Sequence, residues 1–343
     1  MKPWLRVYLL NTLFLTQLFS EVFVTYNPAI FGQFGRNYVL RGRCGNQVAI
    51  LMNAYNYALQ LNGTLVYEPI AIDIEEALKT KIKTISKSEF IKYEKFRVYK
   101  DRNSIVPSED YIVKSPKNFS VCQLSSGVKK DFNSILRVAL PEYRGLRSSE
   151  YDLSIGLHIR TGIGVDSPKA SLQYYNHSTL RSHAKQPPFN TQCKNKNREY
   201  LDLCPVTRAL PIQFYIDVIN YLLQHQSLKE KKIAFYVFTD DPCPQKMMEN
   251  IRLKTTPSVF LSSELRQTSN EDLEDILLMS ETDGLVLPGG STFSNIARFL
   301  GDHKYVITPV KPQWIGRCLV VESINIKSPE DTIRAKIRQV PTK

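Results

Sequence analysis

Apolar residues along this chain fall into two kinds of run. Short stretches alternate at period two or are continuously apolar, and longer ones repeat at helical spacing. In the first half, "NYVLRGRCGNQVAILMNAYNYALQLNGTLVYEP" predicts a strand through Val39-Leu40, a turn through Gly42 and Gly45, and a helix. Val48, Leu51, Met52, Tyr55, Ala58 and Leu59 recur on one face of that helix, which ends near Asn62-Gly63 before a strand in "TLVYEP". From 70 to 150 the chain is lysine-rich and weakly periodic, and no order of elements follows from it. Alternation resumes in "YDLSIGLHIRTG", where Leu153, Ile155, Leu157 and Ile159 mark one face of a strand and His158 and Arg160 share the other. A helix is predicted from about Ile212 to Gln224, followed by a continuously apolar strand of the parallel-sheet kind in "IAFYVFTDD". Then "EDLEDILLMSETDGLVLPGGSTFSNIARFLG" reads as helix, strand, glycine turn and helix, with "KYVITP" as a last strand.

Strands alternating with helices through both halves predict an α/β chain with open, mostly parallel sheets. At 343 residues there is material for two lobes, placed at 22–150 and 151–343.

The first 21 residues carry Lys2 and Arg6 ahead of an apolar stretch, Val7 to Phe19, interrupted by Asn11, Thr12, Thr16 and Gln17. This suits a signal peptide or an uncleaved signal anchor, and so the secretory pathway. Sequons at Asn62, Asn118 and Asn176 agree with that route. Six cysteines without a C-x-x-C pair favour disulfides over zinc, Cys193 and Cys204 being the first candidates. The chain ends in "QVPTK", without a lysine-aspartate-glutamate-leucine type retention tail.

A net charge of +12 directs attention to acidic partners. The cations are scattered, and neither zinc-finger spacing nor an aromatic RNA-recognition motif is present, which argues against nucleic acid. The P-loop, G-x-G-x-x-G, G-x-S-x-G and H-E-x-x-H patterns are also absent from the sequence. The acidic spots "DIEE" and "TDD" read as solvated faces or a loop cap.

In open α/β sheets ligands bind beyond the carboxyl ends of strands, and three such places carry suitable residues. In "GRCGNQ" the glycines, Arg43 and Asn46 stand before a helix, as a phosphate or sugar site or as a plain turn. Arg160 matches a diphosphate bidentately, while His158 is equally well a packed histidine. In "PGGSTFSNIARF", Gly289 and Gly290 precede Ser291, Thr292 and Ser294, which make either an anion site or an ordinary N-cap. Phe293 is a core residue or a surface on which a base or ribose packs.

Taken in order, "GRCGNQ…LNGTLVYEP", "IGLHIRTG", "FYVFTDD" and "DGLVLPGGSTFSNIARF" resemble the GDP-fucose-dependent fucosyltransferases, most closely the protein O-fucosyltransferase family, over about three quarters of the chain. The resemblance implies a two-lobed GT-B-like glycosyltransferase with two Rossmann-like sheets, in the endoplasmic reticulum or Golgi lumen. It implies inverting transfer of L-fucose from GDP-fucose to a hydroxyl, Ser or Thr of a disulfide-rich protein domain, without cofactor or metal. Arg43, Gly45, Asn46, His158, Arg160, Asp283, Ser291, Thr292 and Phe293 would then contact the donor, with Arg160 and Asn46 catalytic and Arg160 stabilising departing GDP. Two alternatives stand beside it: a galactoside α-1,2-fucosyltransferase acting on a glycan, and a non-catalytic glycan- or protein-binding relative. The sequence departs from the family at Cys44, where a bulky apolar residue is usual, and after His-x-Arg, where "TGIGVD" delays the acidic residue to Asp166.

Overall fold

Helical and extended segments alternate along the chain as the periodicity predicts and sort into two units, Met1–Ala139 and Leu140–Lys343. The computed structural model describes residues 22–26, 44–68, 74–90, 97–99, 111–114, 124–146, 150–160, 210, 212–241, 244–288, 291–310, 313–315, 318–321, 323–328 and 332–337. Among these, no helix is long and apolar enough to cross a membrane. The leader at 1–21 and the strand expected at Val39-Leu40 lie outside the described residues.

In the first unit β1 (Val22–Thr25), β2 (Thr64–Tyr67), β3 (Thr84–Ser86), β4 (Arg97–Tyr99) and β5 (Tyr111–Lys114) make an all-parallel sheet in the order β3-β2-β1-β5-β4. The central strand β1 is only four residues long, too short to show a period of its own in the sequence. Between β1 and β2 runs α1 (Cys44–Leu61), which buries Val48, Leu51, Met52, Tyr55 and Ala58 as the spacing predicts. Leu59 is the exception, 41% exposed. Gly45 lies in the first turn of α1 and not in the turn before it. Asn62 ends α1 at a φ of 50°, the left-handed conformation that asparagine tolerates. Gly63 follows because a Cβ there would come within 2.8 Å of the Val22 carbonyl oxygen.

The short helices α2 (Glu75–Lys79) and α3 (Lys87–Phe90) flank β3, and Glu75 and Glu76 pair with Lys79 on the solvated face expected of "DIEE". Helix α4 (Ser126–Ala139) buries Val128, Phe132, Ile135 and Leu136 on one face. It meets α1 through the Tyr55 hydroxyl, which donates to Asp131 at 2.8 Å, and the edge of the Phe132 ring.

The second unit runs β6 (Leu153–Ile159), α5 (Ile212–Gln224), β7 (Ile233–Thr239), α6 (Pro244–Lys254), β8 (Val259–Leu261), α7 (Glu271–Glu281), β9 (Gly284–Val286), α8 (Thr292–Leu300) and β10 (Tyr305–Pro309). "KYVITP" is not the last strand. It is followed by a hairpin of β11 (Gln313–Ile315) and β12 (Cys318–Val320), and then by β13 (Ser323–Lys327) and β14 (Thr332–Lys336), which extend the sheet antiparallel. The sheet order is β14-β13-β10-β9-β6-β7-β8, parallel from β10 to β8.

Strand β6 alternates in sequence, yet all seven of its residues are buried. Leu153, Ile155, Leu157 and Ile159 pack with Ile212, Tyr215, Ile216 and Ile219 of α5 and Met247 and Ile251 of α6. The other face carries Ser154, Gly156 and His158, small or slender enough to be covered closely. A Cβ on Gly156 would lie 3.0 Å from Leu285 and 3.1 Å from the Thr282 hydroxyl. Helix α7 is buried continuously from Leu273 to Ser280, acids included. Glu274 accepts from the backbone N–H groups of Gln267 and Thr268 at 2.6 and 2.8 Å, and Asp275 takes two bonds from Arg266 at 3.0 and 2.8 Å.

Helix α8 ends at Gly301, whose N–H donates to Ala297 at 2.9 Å. A Cβ there would sit 2.4 Å from the Ser280 carbonyl oxygen, a backbone atom with little room to retreat. Gly301→Ala is therefore expected to destabilise the protein by about 1–3 kcal/mol, the usual cost of overpacking, seen as a lowered Tm against wild type.

Candidate functional site

Numbered from β6, the parallel strands of the second unit lie in the order 3-2-1-4-5, because the chain moves from β6 outward to β7 and β8 and then returns to place β9 on the other side of β6. Strand order thus reverses between β6 and β9, and a crevice forms at the carboxyl ends of two such strands. The registers agree: β6 stays paired with β7 to Ile159↔Thr239 but with β9 only to Leu157↔Val286. Beyond Leu157 the two strands of the switch point part.

His158 and Arg160 stand at this opening, the histidine 7% exposed and the arginine half-buried. From β9 the chain passes into α8, whose first turn holds Thr292 and Phe293. The Phe293 ring centroid lies 5.6 Å from that of His158, tilted by 41°. Two motifs distant in sequence therefore share one place. His158 packs against Phe293, and Arg160 follows the last residue of β6.

Ser291 occupies the N-cap of α8 in extended conformation and is buried, but its side chain makes no capping hydrogen bond. Ser294, 1% exposed, has a hydroxyl with no hydrogen-bond partner among the described residues. First-turn amides, two buried hydroxyls and the positive end of the helix dipole are together suited to an anion.

The acidic pair after β7 is also at this end of the sheet. Asp240 is half-buried, while Asp241 is 6% exposed and its N–H donates to the Thr239 hydroxyl at 3.1 Å, so Asp241 is no solvated face. The sequence reading also missed Tyr215, in the first turn of α5. Its hydroxyl donates to the His158 carbonyl at 2.8 Å, and burial, with the charge of Asp240 added, raises it far above the usual phenol range. Tyr215 could be placed on the buried stripe of a helix from sequence, but its reach to β6 could not.

Asp283 is not brought to this group. It precedes β9, at the amino end of the sheet, where it accepts from the Ser154 N–H at 2.9 Å and hydroxyl at 2.8 Å and from Lys304 at 2.8 Å. Its short side chain joins strands there, and the length of β6 separates it from His158. In the first unit, Gly45 is buried and Asn46 half-buried in the first turn of α1. Because α1 leads through a two-residue turn into the amino end of β2, its own N-terminus lies toward the carboxyl ends of that sheet. Asn62 is exposed at the end of α1. Arg43, Asn118, Asn176, Cys193, Cys204, Gly289 and Gly290 lie outside the described residues. Among the described residues no three of His, Cys, Asp and Glu gather as a metal site.

No protein-family model matches the sequence, and no curated protein matches it significantly. Among solved structures the chain is similar to POFUT1 in complex with GDP-fucose, at TM-score 0.42 and 13% identity over 83% of this chain and 95% of that one. It is also similar to the fucosyltransferase NodZ from Bradyrhizobium, at TM-score 0.41 and 14% identity over 84% and 95% of the two chains. A GDP-bound variant of Arabidopsis thaliana FUT1 scores 0.39 at 13% identity, over 87% and 72%. What the site can do is read from its own residues.

Burial pushes the Asp283 carboxyl up, but the bonds from Lys304 and Ser154 outweigh it and hold it below the ordinary value. A depressed carboxyl stabilises the fold above the unfolded pKa, and that stability is lost as pH falls through the folded one. The Tm difference between wild type and Asp283→Asn should be largest near neutral pH and shrink as pH falls below about 4. A difference independent of pH would contradict this role.

Proposed function

We propose that this chain is a GDP-fucose-dependent fucosyltransferase that moves L-fucose with inversion to a Ser or Thr hydroxyl of a disulfide-rich protein domain in the secretory pathway. The observation that carries the reading is the meeting of the His-x-Arg motif with the Ser-Thr-Phe turn at a switch point of the nucleotide-binding strand order. This juxtaposition supplies the three things a nucleoside diphosphate needs: a permanent cation, a helix N-terminus, and a ring edge for the nucleoside. The sequence resemblance adds the sugar, fucose, and the protein acceptor.

In this reaction the acceptor oxygen bonds to C1 of fucose while the bond from C1 to the β-phosphate oxygen breaks. The electron pair leaves with GDP, and the hydroxyl proton passes to water. Negative charge grows on the diphosphate as the sugar becomes oxocarbenium-like, so a guanidinium already in place beside it lowers the barrier most. Arg160 takes that role. Ser291, Thr292 and the α8 amides hold the same anion, and Phe293 faces the nucleoside. The chemistry calls for no metal.

Arg160→Ala should slow GDP release from GDP-fucose about 100- to 1,000-fold, as loss of a charge-stabilising donor does. GDP at 100 times its Kd should stabilise the wild type by about 2.7 kcal/mol, seen as a rise in Tm. Release dependent on folded disulfide-rich domains supports the protein acceptor, and release dependent on a lactose-type galactoside would transfer the activity to a glycan. Absence of both release and thermal shift would sink the donor assignment.

A further inference from the structure

We propose that Tyr215 is a positioning residue for Arg160, its hydroxyl on α5 clamping the main chain of β6 at His158, just where that strand parts from β9. The inference rests on the donor reading above. Its starting point is a backbone problem: β6 loses its β9 ladder after Leu157, so carbonyls beyond that residue need other partners or carry a desolvation cost. The Tyr215 hydroxyl supplies one, donating to the His158 carbonyl at 2.8 Å in a fully buried setting. One oxygen therefore anchors the backbone just before Ile159.

That anchor has a directional consequence. The exit of a guanidinium from a strand end is set by the φ and ψ of the last few residues, and an unanchored end frays. Tyr215 is itself held, 0% exposed with its ring edge-on to Phe214 at 5.1 Å. A rigid phenol fixing the main chain at His158, two residues before Arg160, directs Arg160 toward the opening and holds the His158 ring against Phe293. Held in advance, the cation needs no reorganisation when the diphosphate's charge develops.

Tyr215→Phe removes the hydroxyl and keeps the ring, so the test compares wild type, Tyr215→Phe, Arg160→Ala and the double variant. Without ligand, amide hydrogen exchange in the peptide from Leu157 to Arg160 should be about tenfold faster in Tyr215→Phe, the factor that corresponds to ~1.4 kcal/mol for one hydrogen bond. The GDP Kd of Tyr215→Phe should rise about tenfold on the same scale, while adding it to Arg160→Ala should change the Kd no further. In Tm the two substitutions should be additive, because the clamp contributes to stability whether or not Arg160 has its side chain.

Unchanged exchange overturns the clamp, whatever GDP does. An equal loss of GDP affinity with and without the Arg160 side chain overturns the positioning role and leaves only a general structural one. Failure of the wild type to bind GDP sinks the donor reading, and the ligand role of Tyr215 with it, while ligand-free exchange separately reports whether the backbone clamp exists.

Discussion

The second unit depends on one parallel strand being buried on both faces. β6 has α5 and α6 on one side and Thr282 and Leu285 close against its small residues on the other, with β7 and β9 in its ladders. A strand so enclosed satisfies its backbone only as far as both neighbours run beside it. The neighbours stop at different residues, β9 first. The place where the ladder fails is therefore the place where a charged side chain leaves and where the helix after β9 begins. The candidate site and the structural boundary are the same feature.

The protein repeatedly satisfies such boundaries with side chains. In the second unit the hydroxyl of Tyr215 takes the end of β6. In the first, Tyr26 follows β1, donates to the Glu68 carbonyl and accepts from the Glu68 N–H at 2.8 Å just beyond β2, while Lys87 holds the Glu68 carboxylate at 2.7 Å. Burial of the Tyr26 hydroxyl raises it well above its ordinary value, so it remains a neutral donor and acceptor at any physiological pH. At the opposite end of the second sheet, Asp283 does the equivalent with a carboxylate bonded to Ser154 and Lys304. Each is a polar group whose removal would strand a backbone or side-chain partner away from water.

Helix α7 follows the same rule at higher charge. Two acids on the buried stretch of a helix would be intolerable alone. Here Glu274 closes the loop before its own helix through two backbone amides, and Asp275 meets the planar fork of Arg266. Burial raises the Asp275 carboxyl, and the Arg266 pairing opposes that rise.

Periodicity alone was enough to assign α1, β2, β6, α5, β7, α7, β9, α8 and β10, because each is long enough or apolar enough for its own burial pattern to appear in its residues. It could also mark Arg160 and the Ser-Thr-Phe turn, since a guanidinium at the end of a buried strand and hydroxyls before an apolar helix are unusual locally. It did not supply β1, β13 or β14, short runs that pairing across the sheet settles as strands. Nor could it tell that His158 would lie against Phe293, that Asp283 would stand at the far end, or that Asp241 would be buried. Tyr215 was legible only as one more apolar position on a helix. Those facts are set by strand order and register, which bring together residues far apart in the chain, and a local pattern carries no record of which strand will lie beside which.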